Sequence, residues 1–160
     1  MSGSRIVVPL PADPDVRRTV AGWSREAWAD MFPDDDVDAY LALYERADGP
    51  GLPRVWMSVD EQGRPTGTAS LVAHDELPDA PEPGPWLAAV WVHPDHRRHG
   101  DGTGLVAAAT ETARALGHAT LYLYTHDAVG WYERAGWSIV REAHLRDGPV
   151  TVMSLDLTTT

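Results

Sequence analysis

The spacing of apolar and polar residues divides the chain into eleven elements in the order β-α-α-β-β-β-α-β-α-β-β. Short apolar or alternating runs predict strands, and apolar residues three and four positions apart predict helices. Strands are expected at residues 5–10, 54–60, 67–75, 86–92, 118–125, 137–145 and 150–157. Helices are expected from Asp15 to just before Pro33, and over residues 34–47, 104–117 and 126–136.

The mixture of strands and helices predicts an α/β (α+β) fold, with a layer of helices on each side of one sheet. The stretch WLAAVWV, residues 86–92, is apolar on both faces, as a central buried strand would be. The chain has 160 residues and shows no linker or repeat, so a single domain over residues 1–160 is expected.

Composition narrows the classes of function. The chain contains no cysteine, which excludes a disulfide scaffold, a thiolate metal site and a cysteine nucleophile. It contains no apolar run long enough to span a bilayer and no signal-peptide pattern at its start, so a cytoplasmic protein without membrane contact is expected. A net charge of -11 argues against a nucleic-acid partner, because such binding needs many cations.

Residues 93–104, HPDHRRHGDGTG, form a basic, glycine-rich turn in this acidic chain. The turn joins the buried strand to an alanine-rich helix. Unpaired N–H groups in a first helical turn attract anions, and glycines let phosphate oxygens approach the backbone. The turn therefore predicts a phosphate site. It lacks the lysine of a P-loop and the spacing of a dinucleotide fingerprint, although a nucleotide remains an alternative ligand.

The stretch VHPDHRRHGDGTGLV resembles the acetyl-CoA motif of the GCN5-related N-acetyltransferase (GNAT) superfamily, Arg/Gln-x-x-Gly-x-Gly/Ala. One helix and one strand later, THDAVGWYERAGW is similar to that family's next motif. LYLYTHDAVGWYERAGW is also similar to the branch with the actin N-terminal acetyltransferase and its bacterial relatives, from which no substrate follows. The resemblance implies a mixed, mostly antiparallel twisted sheet of about seven strands flanked by about four helices.

The resemblance also implies acetyl-CoA as co-substrate and no metal. Its pyrophosphate would bind the backbone N–H groups of the glycine-rich turn, and its pantetheine arm would pair with the strand before the turn. A strand N–H would stabilise the oxyanion. The residues implied in cofactor binding are Val90, Val92, Arg97, Arg98, His99, Gly100, Asp101, Gly102, Thr103 and Gly104.

For catalysis, the resemblance places Tyr132 as the general acid that protonates the leaving thiolate. Packing beside neighbouring tryptophans is the alternative role for this side chain. Many relatives carry a glutamate base where this chain has Ala88, so the base must come from elsewhere. His74 and Glu76, at the end of the preceding strand, are the candidates, with ordered water as the alternative.

Several other positions bear on the site. Asp101 stands where the family usually has an apolar residue, and a carboxylate beside pyrophosphate is unfavourable unless it turns outward. Trp23 and Trp28 are candidates for the acceptor site. The acidic run at residues 34–36 is expected to start a helix, or else to attract cations. His93, His96 and His99 lie in a loop without a carboxylate pattern, so no metal site is expected.

The function expected is transfer of acetyl from acetyl-CoA to a primary amine of a small molecule or peptide, by direct attack in a ternary complex. The alternative is a non-catalytic acyl-CoA-binding sensor or partner domain, because fold does not fix function. A homodimer is left open, since exposed strand edges in such folds pair.

Overall fold

The computed structural model describes residues 6–158, so Arg5, the first residue of the first predicted strand, lies outside the described part. It contains one seven-stranded sheet with four α-helices, as the sequence predicted. In chain order the elements are β1 Ile6–Pro9, α1 Pro14–Ala27, α2 Val37–Arg46, β2 Arg54–Val59, β3 Pro65–Val72, β4 Trp86–Val92, α3 Asp101–Ala115, β5 Thr120–Thr125, α4 Val129–Arg134, β6 Ser138–Leu145 and β7 Gly148–Asp156.

The strands lie in the order β1-β2-β3-β4-β5-β7-β6. Every neighbouring pair is antiparallel except β4 and β5, which are parallel. A short 3-10 turn, Pro94–His96, follows β4 and leads into α3. The sheet is therefore two antiparallel units joined by one parallel contact in the middle.

Helix α1 is shorter than the sequence predicted. It begins with a cap, in which the Asp13 carboxylate accepts hydrogen bonds from the backbone N–H groups of Asp15 and Val16. It ends at Ala27, so the predicted continuation to Met31 is wrong. The apolar spacing there belongs to turns whose side chains face a cavity, and this burial mimics the helical period.

Helix α3 begins three residues earlier than predicted, at Asp101. Gly100, with a φ of 82°, is its N-cap, so part of the glycine-rich turn is the first turn of the helix. The predicted stop at Gly117 is confirmed. This residue has a φ of 89°, and the N–H of His118 closes the end on the Ala113 carbonyl.

The two faces of the sheet are covered by different helices. One apolar cluster joins α3 and α4 to strands on both sides of the central contact; it includes Leu71, Leu87, Leu105, Leu121, Leu123 and Met153. A second packs α1 and α2 against β2, through Val20, Tyr44, Val55 and Met57. In the described residues, no helix is long and apolar enough to cross a membrane.

The packing predicts opposite effects of alanine at two glycines. At Gly67 in β3 a Cβ would lie 2.8 Å from Ser58 Oγ and 2.9 Å from the Trp91 carbonyl oxygen, so Gly67→Ala should lower the free energy of unfolding by about 1–3 kcal/mol. At Gly22 in α1 nothing lies within 4 Å, so Gly22→Ala should raise it by about 0.5–1 kcal/mol. Urea unfolding of both variants checks this, and equal changes would contradict the packing.

Candidate active site

The cleft in the molecule opens where β4 and β5 separate. Over residues 6–158, these strands pair only at Trp86 and Tyr122, with the Tyr122 N–H donating to the Pro85 carbonyl at 3.0 Å. The rest of β4, towards Val92, lacks a strand partner on its β5 side. An extended chain can therefore add to this edge of β4 as a strand would.

The backbone of β4 is arranged for such a partner. An extra residue interrupts its pairing with β3, and Ala89 there has a φ of 55°, which marks a bulge. Beyond the bulge, the His93 N–H donates to the Thr66 carbonyl at 2.9 Å. This makes Gly67 and Val92 a non-hydrogen-bonded pair, so the N–H and carbonyl of Val92 point away from β3. Val90, two residues earlier, shares that direction.

The turn after β4 forms a concave surface of backbone N–H groups. Arg98 and Gly100 have φ values of 69° and 82°, in the left-handed region. Where right-handed and left-handed backbone conformations alternate, successive N–H groups point towards one place. The first hydrogen bond of α3 runs from Gly104 to Gly100, so the N–H groups of residues 101–103 precede it. No side chain caps this helix. These groups fit a diphosphate.

The side chains of the turn take different positions. Arg97 folds back, and its Nε donates to the Val92 carbonyl at 2.9 Å. The resemblance implies that the Val92 backbone pairs with the pantetheine arm, and because Arg97 engages the carbonyl oxygen, the N–H of Val92 is the group available for that pairing. Arg98 and His99 are exposed at the surface of the turn. A Cβ on Gly102 would lie 3.7 Å from the ring of Trp131, which therefore borders the turn from α4.

Asp101 turns neither outward nor towards the anion surface. Only 2% of the residue is exposed, and its carboxylate lies in the interior on the hydroxyls of Ser58 and Thr66, at 2.9 and 2.5 Å. The sequence suggested an outward turn as the way to keep this carboxylate from a pyrophosphate, and the structure shows an inward turn instead. Its backbone N–H still lies in the first turn of α3, where the sequence assigned it to the diphosphate.

A cavity of about 780 Å³ lies on the β4–β5 cleft. All three predicted catalytic residues line it: Tyr132 from α4, and His74 and Glu76 from the loop after β3. Trp28 also lines it, whereas Trp23 does not and packs instead on Trp91, with ring centroids 5.3 Å apart. The structure thus brings the predicted catalytic side chains to one space and removes one acceptor candidate.

Tyr132 is both a core residue and a cavity residue. It is 8% exposed and packs against Trp131 and Trp137, with centroid distances of 4.9 and 5.7 Å. Burial raises the pKa of its phenol to about 12. The hydroxyl therefore keeps its proton at every working pH, as a proton donor must. Packing beside the tryptophans is thus observed, and the role as general acid stays a prediction.

Three carboxyl groups gather at one end of the cavity, from Asp35, Asp75 and Glu76. Burial first, and then a hydrogen bond and repulsion from Asp35, raise the pKa of Glu76 to about 7. Burial and the charge of Glu76 likewise raise the pKa of Asp75 to about 7. Two phenols complete this end: burial and then these carboxylates raise the pKa of both Tyr40 and Tyr124.

Four of these five residues were not among the predicted catalytic residues. The signal for Asp35 was the acidic run at residues 34–36, whose role as a helix start is observed and whose attraction of cations stays a prediction. The Asp36 carboxylate caps α2 by accepting the Ala39 N–H at 2.9 Å, while Asp35 faces the cavity. Tyr40 follows one turn into the same helix. Nothing in the local sequence distinguishes Tyr124, because its role depends on the cleft between strands.

The loop of residues 73–85, between β3 and β4, is fixed at three points. At its base, a Cβ on Gly84 would lie 2.6 Å from the Ala73 carbonyl oxygen. In its middle, Leu77 packs into an apolar cluster with Trp86, Val150 and Val152. In its second half, the two carboxylate oxygens of Glu82 accept hydrogen bonds from Nε and Nη2 of Arg141 in β6, at 2.8 and 2.9 Å. Glu76 is thus held with a φ of 45° in a constrained loop.

Two further features can be placed. The Thr125 hydroxyl accepts the Ala128 N–H at 3.2 Å, so it caps the turn into α4. The rings of His93 and His96 are 5.9 Å apart, and His93 packs against Trp23. Among the residues that the structure describes, no group of three or more His, Cys, Asp or Glu side chains is arranged to hold a metal.

Comparison with solved structures places the fold. The chain is similar to an aminoglycoside 6'-N-acetyltransferase solved with coenzyme A, at 17% identity and a TM-score of 0.75, over 97% of this chain and 98% of that one. It is also similar to a spermidine N-acetyltransferase chimera that includes Vibrio cholerae sequence, at 17% identity and a TM-score of 0.73, over 98% and 97%. At these identities the likeness concerns the fold.

No protein with a curated description matches the sequence. The sequence profile of the acetyltransferase (GNAT) family, however, matches residues 18–137, three quarters of the chain. The match includes the separated strands, the turn that fits a diphosphate, and Tyr132. This chain belongs to the GNAT family of acetyltransferases, whose acetyl donor is acetyl-CoA.

Proposed function

We propose that this protein transfers the acetyl group of acetyl-CoA to a primary amine of a cationic small molecule, by direct attack within a ternary complex. One observation carries the proposal. The same cavity holds a protonated phenol, Tyr132, and a group of carboxyls around Glu76, and it opens on the free edge of β4. Donor and acceptor can therefore meet between an acid and a base.

The donor side would be held by backbone. The N–H groups of residues 98–103 bind the diphosphate, and β4 binds the pantetheine arm through Val90 and Val92. An N–H of β4 donates to the thioester carbonyl oxygen and stabilises its developing charge. Arg98 and His99 flank the diphosphate from the exposed side of the turn. The local positive charge offsets the repulsion that a chain of charge -11 exerts on a polyphosphate.

On the acceptor side, Glu76 acts as the base. An amine with a pKa near 10.4 arrives as ammonium and must lose a proton before it can attack. A carboxylate whose pKa is about 7 accepts a proton far better than an ordinary glutamate. His74 lines the same wall and can relay the proton to solvent. Glu76 thereby supplies the carboxylate base that many relatives carry at the position of Ala88.

Bond changes then balance. The amine nitrogen forms a bond to the thioester carbon, and the carbon–sulfur bond breaks. The thiolate takes the Tyr132 proton, and the amine protons pass to Glu76 and on to water. Tyr132 regains its proton from solvent at once, because burial raises its pKa to about 12.

The carboxyls also favour a particular acceptor. Asp35, Asp75 and Glu76 share one end of a cavity large enough for a compound of several rings or a folded polyamine. While Glu76 acts as the base, a second ammonium on the acceptor would pair with the carboxylate of Asp35 or Asp75. The proteins similar in fold include enzymes named for aminoglycosides and for spermidine, which are polycations of this kind.

Tyr132→Phe tests the acid. We expect kcat to fall by about 100-fold or more, with little change in either KM, because the phenol acts after binding. Release of CoA thiol with acetyl-CoA and a panel of amines measures the effect. Tyr122→Phe is the matched control, since Tyr122 is a partly buried tyrosine that packs on Trp86 outside the cavity.

Unchanged turnover in Tyr132→Phe would contradict the acid role. If acetyl-CoA instead raises the melting temperature of the wild type while no amine in the panel yields CoA, the domain is an acyl-CoA sensor. A shift with ATP and none with acetyl-CoA would identify the turn as a nucleotide site.

The pKa of Glu76 predicts a pH profile. A raised carboxyl pKa means that the base is ionised above about 7 and protonated below it. The value of kcat/KM should therefore fall tenfold per pH unit below about 7, in addition to any dependence that comes from the amine. Glu76→Gln should abolish this fall of kcat/KM below about pH 7, which is the acid limb of the profile, and should leave the pH dependence that comes from ionisation of the amine.

The control is Asp34→Asn, which removes one exposed carboxylate near Asp35 but outside the cavity. It should keep the limb near pH 7. A limb that survives in Glu76→Gln would show that His74 or ordered water is the base.

Asp35→Asn tests the acceptor class. We expect the ratio of kcat/KM for a linear triamine to that for a monoamine of the same length to fall about tenfold, because the second charge is what Asp35 recognises, whereas its effect on the pKa of Glu76 acts on both acceptors alike. An aminoglycoside and a peptide with a free N-terminus complete the panel. Equal losses on the triamine and the monoamine would contradict recognition of a second ammonium.

A further inference from the structure

Three polar side chains lie buried directly beneath the first turn of α3. Asp101 comes from α3, Ser58 from β2 and Thr66 from β3, and they are 2%, 0% and 0% exposed. Both hydroxyls donate to the same carboxylate oxygen, Oδ2 of Asp101, at 2.9 Å from Ser58 and 2.5 Å from Thr66. The two hydroxyl oxygens lie 2.9 Å from each other.

This cluster lies at a tightly packed place in the sheet. Gly67 follows Thr66, and a Cβ there would lie 2.8 Å from Ser58 Oγ. Glycine therefore leaves the room in which the Asp101 carboxylate reaches the strands. Ser58 pairs with Gly67, but the register then shifts and leaves Thr66 as an extra residue on β3, which brings the Ser58 and Thr66 hydroxyls to the same side of the sheet.

Burial of a carboxylate costs free energy unless its hydrogen bonds are replaced. Here two hydroxyls replace those of Oδ2, and the N-terminus of α3 favours the negative charge. An apolar residue would have filled the same volume without that cost. What the carboxylate adds is direction, because two hydrogen bonds to two strands fix the rotation and position of the first turn of the helix.

The first turn also carries the N–H groups that fit the diphosphate. Residues 101–103 precede the first hydrogen bond of α3, and Gly100 at the N-cap supplies no side-chain cap. Their alignment depends on how the turn is attached to the sheet. The Asp101 side chain provides that attachment at the buried side of the turn, on β2 and β3.

We propose that Asp101 is a positioning residue for acetyl-CoA, which anchors the first turn of α3 to Ser58 and Thr66 and so holds the diphosphate-binding N–H groups in place. The proposal rests on the proposed function, since it takes the diphosphate to bind at this turn. Asp101 touches neither reacting atom. Its loss should therefore weaken the binding of the donor and leave the chemical step almost unchanged.

The test compares two acetyl donors. Asp101→Ala should raise the KM for acetyl-CoA about tenfold and change kcat by less than threefold, as the loss of buried hydrogen bonds to a charged group predicts. S-acetylpantetheine lacks the diphosphate, so kcat/KM with this donor should be the same in the variant and the wild type. A merely structural role would lower activity with both donors alike.

Smaller changes keep the test decisive if Asp101→Ala does not fold. Thr66→Val removes one hydroxyl at constant volume and should raise the KM for acetyl-CoA about threefold. Thr68→Val is the matched control, because Thr68 is a buried threonine on the same strand whose hydroxyl donates to the Trp56 carbonyl and not to α3. It should lower the melting temperature without changing that KM.

A rescue variant separates anchoring from charge. In Asp101→Leu/Ser58→Ala/Thr66→Val, an apolar contact replaces the whole cluster, and the KM for acetyl-CoA should return to within threefold of the wild type. A KM that falls below the wild type in Asp101→Asn would overturn the proposal, since it would mean that the carboxylate repels the donor. Equal losses with both donors would overturn it too. If the wild-type protein is inactive with both donors, that result would refute the proposed function instead.

Discussion

The pairing of β4 with β5 is confined, over residues 6–158, to Trp86 and Tyr122. With so few hydrogen bonds between them, the two halves of the sheet depend on the apolar cluster beneath α3 and α4, which includes Leu87 from one half and Leu121 from the other. Apolar burial has no required direction, so it can hold the halves together while their strand edges diverge. The binding cleft exists because packing rather than pairing joins the sheet.

The two sides of that cleft carry groups of opposite charge. The turn after β4 concentrates cations and N–H groups in a protein of net charge -11, and the carboxyls near Glu76 concentrate the opposite sign. Both arrangements suit the reactants, a polyphosphate and an ammonium. Partial burial raises the pKa values of Asp75 and Glu76 to about 7, so this end changes charge near neutral pH.

The elements around the glycine-rich turn could be read from the sequence more fully than those around the carboxyl groups, for a physical reason. Strand β4, the turn and α3 are contiguous, so strand period and helix-start chemistry describe them. Asp35 and Tyr124 meet only through the tertiary fold. The inward orientation of the Asp101 side chain depends on Ser58 and Thr66. In the sequence, its one sign was that polar residues occur on strands whose faces are buried. The likeness to the actin N-terminal branch stays a prediction.

The two binding regions also differ in how freely they can change. The donor turn is short, and a shift of α3 would move every N–H group together. The acceptor wall is a loop fixed by separate contacts: Leu77 in an apolar cluster, and Glu82 on Arg141, where the carboxylate is 6% exposed. Each contact lies outside the cavity. Asp75 can therefore be exchanged without loss of the anchors or of Glu76, the proposed base, so a different acceptor could be accommodated while the turn after β4 stays intact.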